Sequence, residues 1–296
     1  MKQINLILCI ILSLFLGACS QKEAENVIKK DTDKEHQYIT QERPKEPKKP
    51  AVPTDNEIQE KIIENQQYID SQIVKKDGKT IYYFTQERNL SNNKANAQYY
   101  RIVLGTTAKG YCAVQDFYSN GNKKREPFII TVAEDCSSLK GFSTDELFKT
   151  KITYHDDGDI GVIIYYQQEK FYIFLSENHH IYQIDEIDVA QQKRIEHYID
   201  NKDYVFGNEM PNSIIYSFSN KQIQDIYMFG IDGKEDYISH HDFNNKRLLV
   251  WENGQTNLAE IRKYDEQDFA NLQNNAQKQI YRMIENYTKL YQTQQQ

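Results

Sequence analysis

Ser137 and Lys140 stand three residues apart, a spacing that sets a lysine amine one helical turn from a hydroxyl and would let it draw the serine proton for nucleophilic attack. Ser91 and Lys94 repeat the spacing, yet the chain has no Ser-Asp-Asn and no Lys-Thr-Gly to complete such a site. His179-His180 and His240-His241 are the histidine pairs, with Asp242 beside the second. Neighbouring residues of a strand point to opposite faces, so each pair offers one imidazole per side, and both pairs are expected as exposed loop residues. Asp156-Asp157-Gly158-Asp159 starts like a calcium loop, but the glutamate twelve residues from the start is missing, which leaves an acidic turn. No phosphate-cradling glycine loop and no Gly-x-Ser-x-Gly occurs. These residues therefore assign no catalytic group, no metal site and no cofactor.

Cysteine is the residue with a chemical assignment. Lys2, the apolar stretch Ile4 to Leu16 and the small residues Gly17 and Ala18 form a signal-peptide layout, with an apolar core too short to stay as a spanning helix of roughly 20 residues. Leu16-Gly17-Ala18-Cys19 resembles the bacterial lipobox. That resemblance implies cleavage before Cys19, lipidation of its thiol, and attachment to a membrane without crossing it. At about 0.8 kcal/mol per buried methylene, two or more acyl chains make a lasting anchor. Ser20 follows and not aspartate; in two-membrane bacteria this resembles the pattern passed on to the outer membrane. Once Cys9 leaves with the signal, Cys112 and Cys136 remain, and an oxidising envelope favours a disulfide between them.

Charge narrows the partners. A net charge of −7 argues against nucleic acid, whose phosphates need a basic stripe, and leaves room for a cationic protein. The 22 tyrosines suit sheet packing and contact surfaces alike.

The elements that must position these groups fall into four regions: residues 1–18 as signal peptide, 19–53 as lipidated cysteine and disordered tether, 54–264 as a β-rich domain, and 265–296 as a C-terminal helix. The tether is rich in Lys, Glu and Gln and ends in Pro44, Pro47, Pro50 and Pro53. Thr54 and Glu57 have capping-box spacing, which predicts a short helix with Ile58, Ile62 and Ile63 on one side. Strands are expected at Ile81 to Phe84, Tyr99 to Leu104, Tyr111 to Tyr118, Phe128 to Val132, Val162 to Tyr166, Phe171 to Leu175, Ile214 to Phe218, Ile226 to Phe229 and Leu248 to Trp251. Beyond Asp265, Phe269, Leu272, Ala276, Ile280, Met283, Tyr287 and Leu290 recur at spacings of three and four, the stripe of an amphipathic helix. The fold class read from this is mainly antiparallel β, hairpins in a meander, with a C-terminal amphipathic helix: α+β overall.

Asp-Gly and Asn-Gly corners recur at Asp77-Gly78, Asn120-Gly121, Asp157-Gly158, Asp232-Gly233 and Asn253-Gly254, at irregular intervals. Such steps suit hairpin turns that need φ > 0. With their aromatic lead-ins, Tyr118 to Asn122 and Tyr154 to Gly158 resemble the bacterial variant of the MORN repeat, and the likeness runs from Tyr99 through Leu175. It implies a repetitive β scaffold used for protein contact, without catalytic residues. The expected function is a lipid-anchored envelope protein of binding or scaffold type, held to the membrane through Cys19, with a protein partner and no enzymatic activity. The alternatives are an immunity or inhibitor lipoprotein facing a basic toxin, and an envelope hydrolase.

Overall fold

Thr54 starts the first helix, α1 (Asp55–Gln72), through a complete capping box. The Glu57 N–H donates to Thr54 Oγ1 at 3.3 Å, and the Thr54 N–H donates to Glu57 Oε2 at 2.6 Å. At 18 residues the helix is longer than the short one expected, and it buries Ile58, Asn65 and Ile69. The computed structural model describes residues 42–199, 211–230, 237–252, 255–260 and 266–295. The signal peptide, Cys19 and the corners at Asp232-Gly233 and Asn253-Gly254 lie outside the described residues.

Between α1 and the C-terminal helix the described strands are all antiparallel and form two sheets. The first is built from β1 (Ile73–Lys76), β2 (Ile81–Phe84), β3 (Leu90–Ser91), β4 (Tyr99–Thr107), β5 (Cys112–Tyr118), β6 (Phe128–Ile130) and β7 (Glu146–Leu147). They run in the order β3-β2-β4-β5-β6-β7, with β1 pairing β4 beyond the end of β2. The second sheet is an uninterrupted meander of ten strands: β8 (Thr150–Tyr154), β9 (Ile160–Gln167), β10 (Lys170–Glu177), β11 (His180–Asp188), β12 (Lys193–Tyr198), β13 (Ser213–Ser219), β14 (Gln222–Phe229), β15 (Ile238–Asp242), β16 (Arg247–Glu252) and β17 (Gln255–Glu260).

Each strand read from the sequence is present. Sequence reading passed over β1, β3, β7, β8, β11, β12, β15 and β17. In β11 and β12 charged residues sit at buried positions, so the apolar alternation that marks a strand is missing. The corners also go beyond the Asn-Gly pattern. Gly78, Gly121 and Gly158 do take φ of 91°, 95° and 101°. Three two-residue hairpins, however, place Gln168-Glu169, Asn178-His179 and Asn220-Lys221 at φ between 48° and 65°. Positive φ at both central residues is the type I′ turn, which matches strand twist well enough to override side-chain preference.

The C-terminal helix forms as α2 (Glu266–Asn275), a π-helical turn (Ala276–Ile280) and α3 (Tyr281–Gln294). Its stripe buries Ala276, Ile280, Ile284, Tyr287 and Leu290 in the main core. There it meets Val103, Val114, Phe128 and Ile130 of the first sheet and Ile187, Ile214, Tyr216, Phe218 and Ile226 of the second. Gln277, in the π turn, accepts from the Ile223 N–H at 2.9 Å and donates to the Lys221 carbonyl. At the other end Gln294 accepts from Phe148 N–H at 3.3 Å and donates to the Glu146 carbonyl at 3.0 Å. The helix thus ties the β13–β14 turn to β7 across both sheets.

On the opposite side α1 also bridges the sheets. Ile58 packs with Ile152, Ile163, Phe174 and Ile184, while Ile69 packs with Ala113 and Ile129. Buried Asn65 lies between, donating to Pro127 O at 2.8 Å and accepting from Lys149 N–H at 2.9 Å. The two corners that carry the MORN likeness meet directly. Tyr118 Oη donates to Tyr154 O at 2.6 Å, and Asn120 and Asn122 both donate to Asp156 O.

Residues 42–53, expected as the end of a free tether, are described against the fold instead. Pro44, Pro47, Pro50 and Pro53 are each partly buried and the residues between them exposed, a three-residue period that suits a polyproline II segment. Glu46 Oε1 accepts from Ser213 Oγ at 3.1 Å, and Lys49 Nζ donates to Tyr198 O at 2.8 Å.

Candidate functional site

Cys112 in β5 and Cys136 in the 3₁₀ turn Ala133–Ser137 are bonded to each other, with Cα atoms 6.0 Å apart. Arg101 braces the same turn from β4, donating through Nη1 to the carbonyls of Asp135, Cys136 and Ser138. Its other edge makes a bidentate pair with Asp116 on β5, at 2.6 and 2.9 Å. This turn carries the Ser-x-x-Lys motif. Lys140 pairs with Asp135 and not with Ser137, and at the second copy Ser91 donates to Asn93 O. Neither motif assembles a nucleophile and base.

The histidines divide. His179 occupies a turn position in the β10–β11 hairpin, 78% exposed, with Nδ1 3.1 Å from Asp159. His240 and His241 depart from the loop expectation, because both lie in β15 and point to opposite faces. His240 is buried, stacks on Tyr227 at 4.0 Å and meets Asp225 at 2.7 Å. Burial, then the neighbouring His240, pushes the His241 imidazole down to about 4, so it stays neutral in the fold. Among the described residues no group of three or more His, Cys, Asp and Glu gathers around a metal position.

A constellation that sequence reading missed runs across the α1 side of the meander. His197 of β12 pairs directly with Ser213 of β13, its Nδ1 3.3 Å from Ser213 Oγ. His197 Nε2 is 3.0 Å from Glu186 Oε1 on β11, and Lys170 reaches Glu186 from β10 at 3.3 Å. Burial raises the Glu186 carboxyl, but the His197 hydrogen bond and the Lys170 charge outweigh it and hold it below the usual range. Ser, His and Glu in contact have the outline of an acyl-transfer site. Two observations speak against that role: Ser213 and His197 are 0% exposed, and the serine proton points at Glu46 and not at the imidazole. No local signal marks the three, because strand pairing alone brings them together.

The helix side of the same strands holds a second buried network. Arg194 Nη2 sits 2.8 Å from both Asp185 and Glu196, and Glu196 accepts from Tyr198 and Tyr216 at 2.9 and 3.3 Å. Burial raises the Glu196 carboxyl and both phenols, against the pull of Arg194 on the acid. Where the sheets join, Glu146 bridges Arg125 and Lys151 at 2.7 and 3.0 Å. Burial would raise its carboxyl, yet the two cations take it down to about 2; burial and the Arg125 charge take the Lys151 amine down to about 8. In both networks the buried charges are paired with opposite charges, the condition under which they are tolerated, while the Nε atoms of Arg125 and Arg194 lack an acceptor.

The accessible feature is a sheet face. Register places Ile81, Tyr83, Tyr100, Ile102, Gln115 and Phe117 on the side of the first sheet that α1 covers only near Ala113 and Ile129. Ile81 is 40% exposed and the other five are half-buried. Tyr83, Tyr100 and Phe117 form a ladder of rings, 6.5 and 5.0 Å between successive centroids. No helix among the described residues is long and apolar enough to cross a membrane. No family model, curated protein or solved structure matches the chain.

Proposed function

We propose that this chain is a lipid-anchored protein of the bacterial envelope, on the outer membrane where the host has one, that acts by binding a protein partner and not by catalysis. The anchor reading rests on Leu16 to Cys19. The observation that carries the binding reading is the half-buried ladder Tyr83–Tyr100–Phe117, beside exposed Ile81 and half-buried Ile102 on a sheet face that α1 covers only in part. Rings of this kind give large contact area with few rotatable bonds and are enriched at interface cores. The net charge of −7 suits a basic partner, which is also what an immunity or inhibitor lipoprotein would meet. A hydrolase has less support, since the contact of Ser213, His197 and Glu186 is enclosed.

Two experiments test this. The chain carrying Cys19→Ser is expected to leave the membrane fraction and lose its acyl mass; continued membrane association without acyl chains would remove the anchor reading. Cross-linking in intact cells, with the wild type beside Tyr100→Ser and Phe117→Ser, reads the face. Loss of one discrete adduct in the variants supports it, and an unchanged adduct pattern ends it. An adduct that also disappears at high salt favours the basic-toxin form of the partner.

A further inference from the structure

We propose that residues 44–53 are a releasable strap, seated across β12 and β13, that gives the anchored domain two tether lengths. The seat is specific. The prolines at 44, 47, 50 and 53 are partly buried together, at the spacing of a three-residue repeat, and the residues between them are more exposed. Among these, Glu46 accepts from Ser213, a fully enclosed hydroxyl, and Lys49 donates to the carbonyl of Tyr198 at the end of the neighbouring strand. The capping box at Thr54 fixes the other end, because the strap runs straight into α1. Both bonding residues are exposed, so water can replace each contact, and the proline repeat holds its extended form without internal hydrogen bonds. Release therefore needs no secondary structure to unfold.

The consequence for reach rests on the lipid-anchor reading. Docked, the strap begins at Pro44, and residues 20–43 separate it from Cys19; released, residues 20–53 do. The upper limits of reach for 24 and 34 residues are roughly 80 and 115 Å. The exit point also moves along the α1 side of the meander, from beside β13 to the start of α1.

Trypsin digestion of the purified chain tests the strap independently of the lipid, with a synthetic peptide covering residues 40–56 as the free reference. Cleavage after Lys45 and Lys48 is expected to be at least about tenfold slower in the chain than in the peptide, since a protease needs the open form. Ser213→Ala, which leaves the strap sequence untouched, and Pro47→Ala are each expected to bring the rate most of the way to that of the peptide. Unfolding midpoints for both variants establish that the fold is intact. Equal rates in chain and peptide overturn the strap, and protection unaffected by either variant overturns its seat. A strap that is protected in a Cys19→Ser chain still found with membranes would leave the strap standing and remove only the two-length consequence.

Discussion

Arg101 and Asp116 face each other across β4 and β5 as a bidentate ion pair at 2.6 and 2.9 Å, with side chains 1% and 0% exposed. The remaining donor of the guanidinium serves three carbonyls of the disulfide turn, so this pair links the first sheet to the loop that closes on it. Removing one partner leaves a buried charge without compensation. Asp116→Ala is expected to lower stability by about 3–5 kcal/mol, and adding Arg101→Met to recover part of that. Urea unfolding of the two singles and the double reads this; equal losses that simply add would show the pair is not coupled.

Cys112–Cys136 closes a loop with a sequence separation of 24 residues, worth roughly 3 kcal/mol in the chain-entropy account. Cys112→Ser with Cys136→Ser is expected to lower the urea midpoint with little change in the final unfolded signal, and a reductant should reproduce the loss in the wild type. A wild-type midpoint indifferent to reductant would count against the bond.

His241 sets an acid-side slope. Its folded value of about 4 lies below the 6.5 of an unfolded chain, so the unfolded state binds the extra proton. Its contribution is complete above pH 6.5, declines below it and is gone by about pH 4. Glu146 adds a second loss, from about pH 4.5 down to about pH 2. Unfolding midpoints for the wild type and His241→Phe between pH 7 and 4 separate the two, since the variant should be flat over that interval.

Leu290 is 0% exposed in the main core, near the end of the helix that Gln294 fixes to β7. Leu290→Ala is expected to cost about 2–5 kcal/mol through the lost burial and the cavity. Gln294→Ala should cost less and act locally, raising hydrogen exchange of the Phe148 amide, which donates to it. Unchanged exchange there would show that the last turn is not a clasp.

The sequence by itself determined what depends on near neighbours. Thr54 and Glu57 start α1 because a capping box needs only three residues of separation, and the stripe from Phe269 to Leu290 gives the C-terminal helix because 3.6-residue periodicity is local. Alternating Tyr, Ile and Phe gave the strands whose faces differ in polarity. Tertiary structure decided the rest, because antiparallel pairing joins residues that no local pattern connects. It put Glu186, His197 and Ser213 in one line and buried His240 beside Tyr227. It also filled β11 and β12 with charges that only their cross-strand partners make tolerable, and it brought Glu46 to a serine 167 positions away.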